Sequence, residues 1–317
     1  MKSTYDLMKA SGRRDEKLTV YSAIEGFLSR DLNPNTRRAF ATDLKRFAVD
    51  YGNWQINELT KKELKAYLDG LVKRSGEPVA ISTYNRHFGT LQNLFGWTAS
   101  LGREAESDEF LSGIVRSPLS GLRRKKAPAA LPRPLAPSDA ATILSRAEPY
   151  RDKALFTLLY DSGVRIQEAL NIDVEDLDLR EGTVRIWGKG SRERVGFLSK
   201  RSAKLIERYL RDRGRVSTGA LFVSRQYTEA TGDRLSYAMA YRLFRKYSEG
   251  ISYRGSPASM HQLRHSFGSE RAGVIDALAL RQLMGHRSLR TTLRYAEVNP
   301  AAAHEAFRRY EADRQRE

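Results

Sequence analysis

Apolar positions recur at three- and four-residue intervals in four successive stretches, "TVYSAIEGFLSRD", "NPNTRRAFATDLKRFAVDYG", "TKKELKAYLDGLVKRSG" and "AISTYNRHFGTLQNLFGWTASLG", each ending near Gly or Asp. This spacing predicts a small four-helix domain, with Asn33 capping the second helix and Pro34 at its first position. Trp54, Phe88, Phe95 and Trp97 fall among its apolar positions and are read as core. The pattern changes over residues 112–140, "SGIVRSPLSGLRRKKAPAALPRPLAPSDA", where Pro, Gly, Ser and Ala dominate, as in a linker between domains. Helical spacing resumes at "PSDAATILSRAEP" and "YRDKALFTLLYDSG" and gives way to alternation in "GTVRIWGKGSRERVGFLS". Gly188-Lys189-Gly190 interrupts that alternation, so the segment reads as a hairpin or three-stranded sheet with Lys189 at the tip. From "SKRSAKLIERYLRDRG" onward the helical period continues, including a helix capped by Ser256-Pro257 and running to about Gly273. The expected fold is mostly α with a small antiparallel β-sheet in the second domain, and no internal repeat.

Composition narrows the partner. Lys and Arg number 55 against 38 acids, a net charge of +17 spread along the whole chain, which points to a polyanion. Nucleic acid is favoured over membrane because the basic stretches lie in turns or among acidic residues rather than opposite a broad apolar face. No run approaches the roughly 18 apolar residues of a membrane span, and the N-terminus lacks the apolar core of a signal peptide, so a cytoplasmic, nucleoid-associated protein is expected. With no cysteine, thiolate chemistry and Cys-based metal sites are excluded. The second helix offers Arg37, Arg38, Lys45 and Arg46, and the linker offers Arg123, Arg124, Lys125 and Lys126, as contacts to a DNA backbone. For both clusters a solvated face is the competing reading.

Three chemistries compete for the remaining residues. His261 and His265 stand four apart with His286 following, but Gln262 occupies the position where a zinc protease needs glutamate, and Arg264 opposes a cation, so no metal is expected. The acids Asp173, Glu175, Asp176 and Asp178 are the raw material of a two-metal nuclease, yet all lie within one turn and read as solvated. The third chemistry is phosphate binding. His261 and Arg264, three apart, share a helix face, and Glu168 follows Arg165 at the spacing that lets a carboxylate hold a guanidinium fork. Taken singly, Tyr295 is a structural tyrosine, Lys189 a turn lysine and Arg165 half of a surface ion pair.

Arg165, Lys189, His261, Arg264, His286 and Tyr295, in that order, resemble the tyrosine recombinase (phage integrase) family. "SGVRIQEAL" is similar to its T-G-x-R-x-x-E-L block, "GKGSRER" to its lysine hairpin, "HQLRHSF" to H-x-L-R-H-T-F, and "LMGHRSLRTTLRY" to L-G-H-x-S-x-x-T-T-x-x-Y. "PNTRRAFATDLKRF" resembles the pattern of the family's core-binding domain, with Phe40 replacing the usual tyrosine. The resemblance implies a two-domain, C-shaped DNA clamp: a flexible tail at 1–17, a helical SAM-like core-binding domain at 18–111, a basic linker at 112–136, a catalytic domain at 137–298 and a tail at 299–317, whose Ala303, Ala306, Phe307 and Tyr310 at helical spacing fit either an ordinary last helix packed in cis or, as in the family and favoured here, docking on a neighbouring protomer. The short segment before the first helix leaves no room for an arm-binding domain, so the compact Xer type is expected.

The same resemblance implies the chemistry. A phenol with a pKa near 10 needs proton acceptors and cations before it attacks a phosphodiester. Tyr295 would be the nucleophile, with Arg165 and Arg264 on the non-bridging oxygens, His286 adding a phosphate hydrogen bond, Lys189 protonating the leaving 5′-oxygen, His261 taking the phenol proton and Glu168 in support. A 3′-phosphotyrosyl intermediate conserves the ester energy, so neither metal, cofactor nor ATP is needed. The implied partners are double-stranded DNA with a short inverted-repeat core site, three further copies in a homotetramer joining two sites through a Holliday junction, and an accessory protein. His265 is read as structural, bonding locally on its helix. The alternative is a catalytically silent DNA-binding or architectural protein of the same fold, which ought to have lost one of these residues.

Overall fold

The computed structural model describes residues 18–104, 117–127, 131–188, 192–214, 216–224, 233–253, 255–297 and, beyond them, 307, 308, 311 and 314. The chain divides into two compact units, at 1–129 and 130–317. No helix among the described residues is long and apolar enough to cross a membrane.

The first unit contains α1 (Val20–Ser29), α2 (Pro34–Tyr51), α3 (Lys61–Asp69) and α4 (Ile81–Glu104). Local chemistry sets their starts: Thr19 accepts from the Ser22 amide, Asn33 from the Asn35 amide with Pro34 following, and Thr60 and Glu63 form a reciprocal capping box. Phe27, Leu44, Phe47, Leu64, Leu91, Leu94 and Phe95 are fully buried between the helices, with Phe88 and Trp97 close behind. Phe40 is half-buried against Phe27, so the aromatic that replaces tyrosine still packs. Trp54 departs from its expected place in the core. It lies in the loop after α2, 42% exposed, with its ring edge-on to Tyr51 at 5.4 Å.

One buried carboxylate ties this unit together. Asp43, 2% exposed, accepts from Thr90 Oγ1 at 2.9 Å and from Arg86, while His87 Nε2 lies 3.3 Å away. Tyr67 Oη is 3.1 Å from His87 Nδ1, so a single tautomer satisfies both partners, Nε2–H toward Asp43 and Nδ1 accepting from the phenol. The basic segment after α4 is not a free tether. Leu119 is buried in the same core, and the Lys125 backbone exchanges two 2.9 Å bonds with Asn85 while its ammonium meets Asp69 at 3.0 Å. Arg123, Arg124 and Lys126 remain exposed.

The second unit surrounds a helix buried almost all round. After α5 (Pro137–Arg146), α6 (Tyr150–Ser162) buries Ala154, Leu155, Phe156, Leu158 and Leu159. The short α7 (Ile166–Asn171) leads to a three-stranded antiparallel sheet, β1 (Leu177–Asp178), β2 (Thr183–Gly188) and β3 (Arg192–Phe197), in sequence order. Then follow α8 (Lys200–Asp212) and α9 (Tyr237–Tyr247), a two-stranded sheet of β4 (Ser252–Tyr253) and β5 (Ser256–Pro257), and finally α10 (Met260–Arg271), α11 (Ala277–Met284) and α12 (Leu289–Ala296). Leu135, inside the expected linker, is already core here, and its amide bonds Ser266 Oγ at 2.9 Å. The helix expected from Ser256-Pro257 begins later, because those residues pair with Tyr253 and Ser252 as extended chain. Ser259 caps α10 instead, with its amide donating to Gln262 Oε1 at 2.8 Å. Of the tail, Phe307 is helical and exposed, while Ala303, Ala306 and Tyr310 lie outside the described residues.

Asp43→Ala leaves the Thr90 hydroxyl and the His87 ring N–H buried without their acceptor, at about 1–3 kcal/mol per unsatisfied group. Urea unfolding followed by tryptophan fluorescence in a Trp187→Phe background, where Trp54 and Trp97 report on the first unit alone, is expected to show a midpoint lowered accordingly.

Candidate active site

The site is organised around the C-terminal end of α11. Gly285 adopts φ 61, and its amide and that of His286 bond back to Gln282 and Arg281, closing the helix in a Schellman turn. The next three carbonyls each receive a guanidinium. Arg194 Nη1 donates to Leu283 at 3.2 Å, Arg264 Nη2 to Met284 at 2.6 Å and Arg165 Nη2 to Gly285 at 3.2 Å. His286 leaves this turn with its direction fixed by the αL glycine, which is why the Gly-His pair matters as a pair.

Each arginine arrives from a different element. α6 ends at Gly163, also αL with φ 62, and the chain then turns to set Arg165 at the start of α7. Glu168, 8% exposed, accepts from the Arg165 amide at 2.9 Å and from Arg165 Nη1 at 2.7 Å, fixing the fork as the spacing predicts. Arg194 reaches in from β3 to the same carboxylate at 2.7 Å. Arg264, on α10 and only 2% exposed, bridges the Met284 carbonyl and that of Gly163. Three guanidiniums against the single carboxylate Glu168 leave a surplus of two positive charges.

Tyr295 faces this cationic group from α12. Its ring is 3% exposed and seated over Gly268 of α10, where an added Cβ would lie 2.6 Å from Cε1. The His286 ring lies parallel to it at 6.0 Å, held by a 2.9 Å bond between Nδ1 and Thr292 Oγ1. His265 Nδ1 is 3.1 Å from the phenolic oxygen, so this histidine does not bond locally on its helix as expected; it meets a residue thirty positions away. A residue four after His261 and one after Arg264 lies on the same turn of α10, and α12 packs against that turn. The His261 ring touches that of His265 edge-on at 4.5 Å and keeps a solvent-exposed edge.

The electrostatics follow from burial among cations. Desolvation, with His261 and Arg264 next, brings His265 down to about 4. Desolvation, Arg264 and Arg165 bring His286 down to about 4 and lower His261 as well. All three imidazoles are therefore neutral at pH 7 and able to accept a proton. Arg264 falls to about 10 through burial and the neighbouring Arg165, eased by Glu168 and Tyr295. Burial raises the Tyr295 phenol, and Arg264, Arg294 and Arg165 pull it back. Burial also opposes ionisation of Glu168, but the Arg165 amide and the Arg194 charge outweigh it and hold the carboxyl below its usual range.

Five of the six residues singled out in the sequence, Arg165, His261, Arg264, His286 and Tyr295, thus lie together with Glu168; Lys189, expected at a hairpin tip, lies outside the described residues. Arg194, His265 and Thr292 were missed. The alternation of "RERVGF" pointed the wrong way for the first, since it reads Val195 and Phe197 as the inward row and Arg194 as solvent-facing, whereas Val195 and Phe197 are exposed and Arg194 is turned in. Among the described residues no three His, Cys, Asp or Glu side chains are grouped to hold a metal. The acids near β1 have other partners: Asp173 meets Arg234, Asp176 meets Arg185 and the Asp173 amide, Glu175 takes the Gly219 amide and Asp178 those of Arg180 and Glu181. On α2, Arg37 and Arg46 donate to the carbonyls of Arg30 and Val72, and Arg38 and Lys45 are exposed.

Residues 134–302 match the phage integrase family, and residues 20–104 match the phage integrase N-terminal SAM-like domain. The tyrosine recombinase XerC of Rhodospirillum centenum is 31% identical over 285 residues, covering 85% of this chain and 79% of that protein. XerD of Mycobacterium leprae is 29% identical over 318 residues, 91% and 96% of the two chains. Among solved structures, the fold is similar to a lambda integrase dimer bound to a COC′ core site, with TM-score 0.67, 17% identity and coverage of 91% and 80%. It is equally similar to the XerH site-specific recombinase bound to palindromic difH in a post-cleavage complex, with TM-score 0.67, 19% identity and coverage of 98% and 90%. The chain belongs to the phage integrase family. Within it, this is a tyrosine-type site-specific recombinase of the Xer type.

Two predictions follow from the packing and charge of the site. Gly268→Ala drives a methyl into the Tyr295 ring, and thermal unfolding is expected to register a loss of about 1–3 kcal/mol. Because His265 and His286 titrate near 4 when folded and near 6.5 when unfolded, the unfolded chain takes up protons first as pH falls through that window. Stability therefore declines from pH 7 toward pH 4, and urea midpoints for a His265→Gln, His286→Gln double variant are expected to fall less steeply.

Proposed function

We propose that Tyr295 attacks a DNA phosphodiester to form a 3′-phosphotyrosyl bond and release a 5′-hydroxyl, which a second strand's 5′-hydroxyl then reverses to complete strand exchange. The observation that carries this reading is a buried phenol facing two surplus positive charges and three neutral histidines, with the one carboxylate among these groups in the described residues, Glu168, held by two of the arginines. Arg165 and Arg264 stabilise the charge gathering on the non-bridging oxygens, using forks already fixed by backbone carbonyls and Glu168, so little reorganisation accompanies attack. His286 donates to the same phosphate. His261 is the proton acceptor on the exposed side of the site, and His265, already within hydrogen-bond distance of the phenol, orients it toward attack. Lys189 protonates the leaving oxygen. Cleavage forms the phosphotyrosyl P–O bond as the bond to the 5′-oxygen breaks and religation reverses it, each an in-line displacement that conserves the ester, so neither metal nor ATP enters the balance.

The substrate in this proposal is double-stranded DNA carrying a short inverted-repeat core site. Four protomers hold two sites and exchange strands in pairs through a Holliday junction, the tail of each reaching its neighbour. A solved lambda integrase tetramer bound to a Holliday junction shares this fold, with TM-score 0.67 and 17% identity, and supports the reading. Arg38, Lys45, Arg123, Arg124 and Lys126 contribute exposed charge for the DNA backbone, with Arg37, Arg46 and Lys125 acting from positions already tethered to the protein. We place the protein at the nucleoid, with an accessory protein setting the outcome of recombination.

Covalent capture tests the proposal. The purified protein is incubated with nicked fragments of host DNA in EDTA, denatured in SDS, and the attached DNA sequenced. Adducts are expected without metal, at one inverted-repeat sequence, and absent from Tyr295→Phe. DNA binding with no adduct surviving SDS overturns the nucleophile assignment.

A further inference from the structure

Arg194 is an unusual inward-facing residue. Along β3 the exposed row is Glu193, Val195 and Phe197, and the opposite row holds Arg194 and Gly196, the latter against buried Ile186 and Val184 of β2. A guanidinium in that row, 18% exposed, forfeits hydration that a valine would not need, so packing stability alone does not account for it.

Its contacts indicate what it does. Nη2 takes Glu168 Oε2 at 2.7 Å and Nη1 takes the Leu283 carbonyl at 3.2 Å. Arg165 spans the same two structures, from Glu168 Oε1 at 2.7 Å to the Gly285 carbonyl at 3.2 Å. The two arginines are parallel struts between one carboxylate and one helix end, but only Arg165 has substantial exposure, 43% against 18%. Arg194 also lies against the backbone of Gly285, where a Cβ would come within 2.6 Å of its Nε, and the next residue is His286. Without Arg194, Glu168 would keep a single cationic partner, and the Arg165 charge would be neutralised by that carboxylate rather than left for an arriving anion.

We propose that Arg194 is a positioning residue for phosphate capture: it neutralises Glu168 from the protein interior and fixes the end of α11, so that Arg165 and His286 meet the phosphate in register with an uncompensated charge. The role rests on the phosphate site proposed above, and it is tested without relying on cleavage.

Inorganic phosphate serves as the probe, with its binding followed through the ring resonances of His261 and His286 by NMR, beside adduct formation on nicked host DNA. Arg194→Leu suits the inward row beside Val184 and Ile186 and keeps the sheet packed, and Arg194→Lys keeps one charge but reaches only one partner. Arg194→Leu is expected to weaken phosphate binding and slow adduct formation by on the order of tenfold to a hundredfold, with DNA affinity in gel shifts unchanged and Arg194→Lys intermediate. Arg194→Ala is expected to regain part of both signals in low-millimolar guanidinium, which a purely structural role would not produce. Phosphate affinity and adduct rate within twofold of wild type in Arg194→Leu and Arg194→Ala would overturn the role. Arg194-dependent phosphate binding in a wild-type protein that forms no adduct supports the positioning role and counts against Tyr295 as nucleophile.

Discussion

The last carbonyls of α11 are the constraint on which the site depends. Helix ends leave carbonyls without intrahelical partners and carry roughly half a negative charge. Here the Schellman turn at Gly285 takes the carbonyls of Arg281 and Gln282, and Arg194, Arg264 and Arg165 take Leu283, Met284 and Gly285. Three guanidiniums brought close together repel one another, and burial makes the repulsion worse. The helix end and Glu168 offset this, and because each fork has two fixed acceptors the cations are held without being neutralised. Preorganised charge of this kind is what an anion developing in a transition state requires.

The same arrangement governs Tyr295. Seating the ring over Gly268 removes it from water and raises the phenol, so the hydroxyl stays protonated until something accepts its proton. The arginines act in the opposite direction by favouring phenolate. Around the phenol the imidazoles are kept neutral first by burial and then by neighbouring cations, which makes them acceptors at pH 7 and leaves the site sensitive to acid. Burial and cation density therefore act together on the histidines and against each other on the phenol. Weakening the arginine cluster would move the phenol, the imidazoles and Glu168 upward together.

Much of this was legible in the sequence because local rules govern it. Helical spacing and caps located the four helices of the first unit, down to Asn33 and Pro34, since capping is decided within a few residues. The order Arg165, His261, Arg264, His286, Tyr295 marked the site, and the three-residue step to Glu168 foretold its ion pair. Trp54 shows the limit of periodicity: an aromatic at a helix end matches an apolar pattern while sitting in a loop at the surface. Ser256-Pro257 shows another, because a good capping pair was claimed by strand pairing with residues only a few positions away.

By itself the sequence determined the class of the chain, its two-part organisation in helices and a small sheet, and the identity of most of the residues proposed to meet phosphate. Tertiary structure alone decided which histidine touches the phenol, because His265 and Tyr295 are thirty residues apart and meet only when α12 lies on α10. It also decided that an arginine on β3 shares a carboxylate with one on α7 and a helix end with a third on α10. Such contacts leave no periodic trace. They arise where elements distant in sequence converge on one set of unsatisfied carbonyls, a constraint that exists only in the folded chain.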